Sequence, residues 1–415
     1  MGKTVRLEGR PLTWARDRFA QYYASADVPP PLRFARREFA AFPFTTERMM
    51  RRHAAFGTAE ELRDFLAREA PRHVYYSSAY YRYPDHPTMP GKEWLGADVI
   101  FDLDADHLRG AETLDYAGQL ALVRERVRAL LDDFLFGDFG VDPAKVTLVF
   151  SGGRGYHVHV QDESYWPLSS PERRELVDYV TGAGFDARRV ISSDRGTAAA
   201  VPEDDADGPS RRPGRAFARL PSPRAPGWAG RTSRAVVAML ERFDRNGKES
   251  ATAELVAAGL TPNKARHLAK LLVEDGAGRK VRESLSLEVR SRDLPPEFLD
   301  VVIARAAVEM QGETDAPVTT DIHRLIRLPG SLHGGTGFRV VPVSPDRLTE
   351  FDPFSEALPK TPHADRATVR VTETVRYPFP AAPVDLHEGD ERELPGPVAL
   401  FLLLRGEAEL RPSPG

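Results

Sequence analysis

The sequence predicts an α/β (α+β) fold, a sheet domain interrupted by a mainly helical block, and three observations predict it. Short β-prone apolar runs stand at Arg72–Tyr76, Ala97–Leu103, Lys145–Phe150 and Tyr156–Val160. Leu114–Phe136 lies among them, with Leu120, Val123, Val127, Leu130, Leu131 and Phe134 at helical spacing, a core-facing stripe. From Ser164 to about residue 310 the pattern is helical or rich in Pro and Gly, and β-prone runs return only afterwards.

In chain order, Thr13–Ala24 and Thr58–Glu69 read as helices, the second opened by a Thr58/Glu61 capping box. Arg72–Tyr76 reads as a strand with Ala97–Leu103 expected beside it. In Tyr156–Val160 the alternation puts His157 and His159 on one face and the valines on the other, with His159 expected to be packed. Ser170 and Pro171 suit the cap and first turn of a helix to Val180. Residues 191–233 show no periodicity and are expected to form a mobile loop. Helices resume at Ser233–Phe243, Ala251–Ala258, Thr261–Val273 and from Pro295 to about Met310, and Phe338–Val343 reads as a strand. The expected organisation is a catalytic domain in two parts, 1–164 and 311–350. A helical insertion at 165–310 separates them, and a peripheral, Pro-rich tail at 351–415 carries a short amphipathic helix ending near Arg405.

Composition excludes several classes. The chain of 415 residues has no cysteine, so disulfides, thiolate zinc sites and Fe–S clusters cannot form in it. Its longest apolar run, Val398–Leu404, is far below membrane-span length, and the N-terminus lacks a signal-peptide core. A cytoplasmic location without membrane partners is expected. Net charge is −4, so a polyanion would have to meet a local patch. Only eight of the 57 basic residues are lysine, a kind of skew that genome base composition often produces, so scattered arginines are discounted outside motifs.

Asp102 and Asp104 end the apolar run Ala97–Leu103. Residues two apart on a strand share a face, roughly 7 Å apart, and two aligned acids there call for a cation. Hard oxygen ligands suit Mg²⁺ or Mn²⁺. A calcium loop starting at Asp102 fails, because its sixth and twelfth positions are His107 and Thr113 rather than Gly and Glu. A lone D-x-D pair is more often a solvated turn, so the assignment needs further signals.

Two such signals follow. Ser151–His157, SGGRGYH, can cradle phosphate through glycine backbone N–H groups, with Ser151, Arg154 and His157 at hand; the bland alternative is a glycine-rich hairpin turn. It matches neither the Walker nor the dinucleotide fingerprint. Asp315–Gly337 brings Arg324, Arg327 and a glycine-flanked His333, suited to clamping a triphosphate, against the alternative of an exposed basic turn. Acidic pair, glycine loop and Arg/His turn together are the parts of a nucleotidyl transferase.

FDLDAD, SGGRGYHVHV and DIHRLIRLPGSLHGGTG together resemble the catalytic small subunit of archaeal and eukaryotic DNA primases, most closely the haloarchaeal form. The likeness spans most of residues 30–345, including Arg37–Phe39 and Arg51–His53. It implies a primase-type catalytic domain with a mixed sheet, and DNA-templated synthesis of short RNA primers with two Mg²⁺ or Mn²⁺ ions. It further implies that Asp102, Asp104 and a third, later aspartate hold the metal. Of the two candidates, Asp315 and Asp321, the family spacing favours Asp315. Ser151, Arg154, His157, Arg327 and His333 would hold the nucleotide's phosphates, and Glu38 and Arg52 match positions near its sugar and phosphate. The partners implied are a large subunit carrying an Fe–S cluster, a single-stranded DNA template, and ribonucleoside and deoxyribonucleoside triphosphates. One departure stands out: the family's cysteine-containing zinc knob cannot exist here, and no zinc is expected. The alternatives are a repair or gap-filling polymerase of the same superfamily, and a scaffold subunit that has lost activity.

Overall fold

The structure is a computed structural model. It describes residues 7–45, 49–190, 192–195, 216–285, 311–360 and 365–411. The chain divides into two units, one of Met1–Leu131, Val141–Val177 and Glu313–Gly415, the other of Asp132–Gly140 and Asp178–Gly312.

In the first unit the strands are β1 (Phe39–Phe42), β2 (Arg51–Ala54), β3 (His73–Ser77), β4 (Ala79–Tyr81), β5 (Trp94–Ala97), β6 (Val99–Asp104), β7 (Val146–Phe150) and β8 (Gly155–Val160). The second unit contributes β9 (Ser192–Arg195) and β10 (Ala216–Arg219). The first resumes with β11 (Leu325–Arg327), β12 (Val341–Val343), β13 (Arg366–Val371), β14 (Val375–Tyr377), β15 (Val384–Leu386), β16 (Glu391–Pro395) and β17 (Ala408–Leu410). One four-stranded sheet runs β11-β3-β1-β2 and another β12-β7-β8-β6. Every ladder among the described residues is antiparallel, so the class is α+β, with antiparallel sheets where a mixed one was expected.

The expected pairing of Arg72–Tyr76 with Ala97–Leu103 does not form. Both edges of β3 are taken by β1 and β11, and β6 pairs with β8 in the other sheet. Alternation identifies a strand, not its partner. The two sheets instead share a core in which Ile100 packs with Phe39, Val74, Tyr76 and Ile326. His159 belongs there, its ring stacked on Tyr76 at 6.4 Å. Burial lowers its pKa to about 4, keeping it neutral.

Helices α1 (Gly9–Ser25) and α2 (Ala59–Glu69) cover this core. Thr58 caps α2 by accepting from Glu61 N, while Glu61 accepts from Gly57 N at 2.7 Å rather than from Thr58. Helix α3 (Tyr116–Ala129) continues as a π-helical turn, Leu130–Phe136, and packs on β6 and β8. At the start of β6, Arg37 and Asp98 form a wholly buried ion pair at 2.7 Å, which the Tyr80 hydroxyl joins at 2.7 Å. Arg173, on helix α4 (Ser170–Thr181), donates to the Ala97 and Asp98 carbonyls. Removing one partner of such a pair costs about 3–5 kcal/mol, so the root of the acidic strand is rigid.

In the second unit, helix α5 (Gly227–Ala257) kinks at Gly247, where φ is +82°. The backbone there is not helical, so the two halves correspond to the helices expected at 233–243 and 251–258; with α6 (Pro262–Ala269) and α7 (Ala277–Ser284) they enclose Met239, Phe243, Leu255, Leu268 and Val281. Both ends of the loop expected at 191–233 are ordered, as the β9–β10 hairpin and the start of α5. Residues 196–215 and the helix expected at 295–310 lie outside the described residues.

Two short helices, α8 (Ala316–Thr320) and α9 (Pro353–Glu356), follow in the first unit. The C-terminal segment is not peripheral. Helix α10 (Gly396–Arg405) is apolar on every side, and Leu400, Leu403 and Leu404 enter the core beside Phe19. A helix without a polar face is a buried helix, which corrects the amphipathic reading.

Candidate active site

Strand β6 delivers Asp102 and Asp104 at its C-terminal end, opposite His157 and Gly155 of β8. Asp102 is mostly buried, with His157 Nε2 at 3.7 Å from its carboxylate. Burial, followed by the charges of Asp104 and Asp315, pushes the Asp102 pKa up to about 7, against the pull of Arg324 and Arg327. Asp104 also caps the next turn, accepting from Asp106 N at 3.0 Å.

Asp315 adjoins this pair directly. Its backbone N–H donates to the Asp102 carbonyl at 2.8 Å, and the Thr314 hydroxyl donates to the same oxygen at 3.2 Å. Glu313, just upstream, is gripped by Arg109 at 2.8 Å and Arg126 at 3.5 Å, tying the segment after β6 and helix α3 to the Asp315 turn. These ion pairs brace the polypeptide around Asp315. Asp321 lies at the far end of α8, accepting from His323 N at 2.9 Å.

The SGGRG segment is the β7–β8 turn, closed by Ser151 N donating to Gly155 O at 3.0 Å. Gly152 has φ +76°, and a Cβ there would lie 2.7 Å from the Cβ of His333, so conformation and space both demand glycine. The turn is held from two sides: Tyr116 donates to Gly153 O at 2.6 Å and Thr336 to Gly152 O at 2.5 Å. Ser151 Oγ accepts from Gly153 N at 3.2 Å. Arg154 pairs with Asp106 and reaches Asp104 at 4.0 Å.

The Pro-Gly-Ser-Leu-His turn closes over this loop. His333 Nδ1 meets the Thr336 hydroxyl at 3.1 Å and Gly335 N at 3.3 Å, and its Nε2 lies beside Gly153. Burial and then Arg327 hold its pKa well below the usual value, as burial does for His157. Arg327 contacts His73 Nδ1 at 2.7 Å, and the His73 ring meets that of His333 edge-on at 5.4 Å. Arg72 donates to Gly334 O at 2.9 Å. Arg72, His73, Tyr116, Glu313 and Thr336 were not foreseen; the first two sit in a run that reads only as a strand.

Glu38 and Arg52 meet each other, by two hydrogen bonds of 3.0 and 3.2 Å, with His53 N and the buried Lys92 also on Glu38. This cluster shares its field with Tyr81, His323 and Asp321. Among the described residues no hydrogen bond joins it to Asp102, Asp104 or Asp315.

The donor set fits divalent cations. Burial, and then the neighbouring charges of Asp104 and Asp315, raise the Asp102 pKa, a condition that a bound cation relieves. Among the described residues no group of three or more His, Asp or Glu side chains is placed to hold a metal ion by itself. Mg²⁺-type sites are normally completed by water and substrate phosphate around one or two carboxylates, so an open set suits them.

Carboxylates beside a glycine cradle and arginine and histidine donors define an enzyme that handles polyphosphates on metal ions. Residues 101–345 match the model of the DNA primase small subunit family. The DNA primase small subunit of Methanocella arvoryzae is 38% identical over 96% of this chain and 98% of its own length. That of Methanothrix thermoacetophila is 38% identical over 97% of this chain and its own full length. The Haloarcula marismortui protein is 36% identical over 97% of this chain and 99% of its own. The chain belongs to the DNA primase small subunit family, and its activity is that of a DNA primase acting by divalent-metal-dependent nucleotidyl transfer. The haloarchaeal relative is one of several at similar identity. No helix among the described residues is long and apolar enough to cross a membrane.

Proposed function

We propose that Asp102, Asp104 and Asp315 hold two Mg²⁺ or Mn²⁺ ions and that this chain synthesises RNA primers on a single-stranded DNA template. The observation that carries the reading is the 2.8 Å bond from Asp315 N to Asp102 O, which brings an acid distant in sequence to the β6 pair. Bound ions supply Lewis-acid stabilisation of the charge that develops on the transferring phosphate.

The chain's own groups do the rest. The backbone of Ser151–Gly155 and the Ser151 hydroxyl receive phosphate oxygens, and the His333 ring faces them through Nε2. Arg154, now paired with Asp106, and Arg327 offer guanidinium forks that match phosphate geometry. His157 stays neutral beside Asp102 and donates without adding charge. In the reaction a 3′-oxygen bonds to the α-phosphorus, the bond to the β-phosphate bridge breaks, pyrophosphate leaves, and the hydroxyl proton passes to solvent.

Glu38 and Arg52 act one step removed, near the nucleotide's sugar and phosphate. Asp321 is structural. Partners are a large subunit, whose Fe–S cluster this cysteine-free chain cannot supply, and ribonucleotides, with deoxynucleotides accepted in extension. The site of action is the cytoplasm. The test is synthesis on unprimed single-stranded DNA with the large subunit present. Primers formed from ribonucleotides alone are expected; extension of a supplied primer without any initiation would instead mark a gap-filling polymerase.

A further inference from the structure

A second cationic pocket, of about 460 Å³, opens in the first unit near the root of β6. Arg33, Arg36, Tyr80, Arg82, Leu95 and Trp166 line it. We propose that it grips the single-stranded template a few nucleotides from the reaction centre; this rests on the primase reading above.

The arginines are presented for an anion. Arg33 lies over the Trp166 ring at 4.4 Å, and Tyr80 packs against the same ring at 4.6 Å. Arg33 holds φ +53°, a left-handed conformation that a side-chain-bearing residue adopts at a cost. Its ion pair with Glu163, like that of Arg82 with Glu93, is exposed on both sides, and such pairs are worth no more than about 1 kcal/mol. A phosphate can therefore recruit both guanidinium groups cheaply. Arg36 donates to the Arg82 carbonyl at 3.2 Å and has no carboxylate partner among the described residues.

The rim is apolar. Of the six large hydrophobic side chains that stay exposed among the described residues, Leu95 lines the pocket, while Leu32 and Tyr83 directly adjoin Arg33 and Arg82 in sequence. Arginine forks for phosphates beside exposed apolar and aromatic surface for bases are how single strands are held without sequence preference. The floor is rigid, because the Tyr80 hydroxyl and Arg37 both bond the buried Asp98. Asp98 stands immediately before β6, four residues ahead of Asp102, about 13 Å at strand rise. That span suits a few nucleotides of an extended strand.

The test is fluorescence anisotropy with a fluorescein-labelled oligothymidylate. It compares the wild-type chain, alone and with its large subunit, with the combined Arg33→Ala, Arg36→Ala and Arg82→Ala variant. The expected Kd rises about tenfold or more, and the slope of log K against log salt flattens by about 2, from three lost phosphate contacts. The single Arg36→Ala variant, with an unchanged melting curve, should show a smaller shift in the same direction, and KM for UTP should stay within about twofold in both variants. Unchanged affinity and salt slope would overturn the proposal. So would a wild-type chain that does not bind the oligonucleotide, or a variant whose one defect is failure to co-elute with the large subunit, which would make the pocket a protein interface. Asp102→Asn should keep full DNA affinity, so loss of primer synthesis and loss of template grip are read separately.

Discussion

Asp102→Asn is expected to abolish primer synthesis, by about 10³-fold or more, and at the same time to raise the melting temperature of the metal-free protein. The activity loss follows from removing one of the three carboxylates proposed to hold the ions; each 1.36 kcal/mol lost at the transition state is tenfold in rate, and metal ions contribute several. The stability gain follows from the sign of the pKa shift. In the fold Asp102 has its pKa raised to about 7, whereas in the unfolded chain it sits near 3.8. Between those values the folded form holds a proton that the unfolded form has released, so stability falls as pH rises through that window and stays low above it. The full deficit is about 4 kcal/mol as an upper figure. Asn removes it without changing the side chain's size. In EDTA at pH 8 the variant should melt several degrees above wild type, and the gap should close towards pH 4. Excess Mn²⁺ should stabilise wild type and leave the variant nearly unmoved. A variant that retains synthesis, or one no more stable than wild type in chelator, contradicts this account of Asp102.

The second large effect separates two acids six residues apart. Asp315→Asn should cost synthesis about 10²-fold or more and weaken Mn²⁺ binding in calorimetry, because its carboxyl acts on Asp102. Asp321→Asn should leave synthesis within about threefold. Its recorded role is to accept from His323 N, worth about 1 kcal/mol. The reverse ranking would place the third ligand on the other side of α8 and would require the Glu38–Arg52 cluster to be the nucleotide site.

Much of the site was legible because its parts are local. Asp102 and Asp104 follow from strand periodicity, and the glycines of Ser151–Gly155 announce a backbone that needs positive φ and close approach. Partnership was not legible. Nothing in Arg72–Tyr76 shows that its edges go to β1 and β11, nor that Arg72 and His73 support the His333 turn. Long-range pairing is decided by which faces can be buried together, and a single strand carries only half of that information. The tail misled for a different reason. Proline marks around 351–395 suggested irregular surface chain, while Val398–Leu404 is uniformly apolar and is drawn into the core. Tyr116 was equally hidden, read as one more helical residue although its hydroxyl donates to Gly153 O in the β7–β8 turn.

The most direct measurement is anomalous diffraction from crystals soaked with Mn²⁺ and UTP. The account predicts manganese peaks between the carboxylates of Asp102, Asp104 and Asp315, with the triphosphate lying against Ser151–Gly155, Arg327 and His333. Peaks at Asp321 or beside Glu38, with these three acids bare, would contradict it.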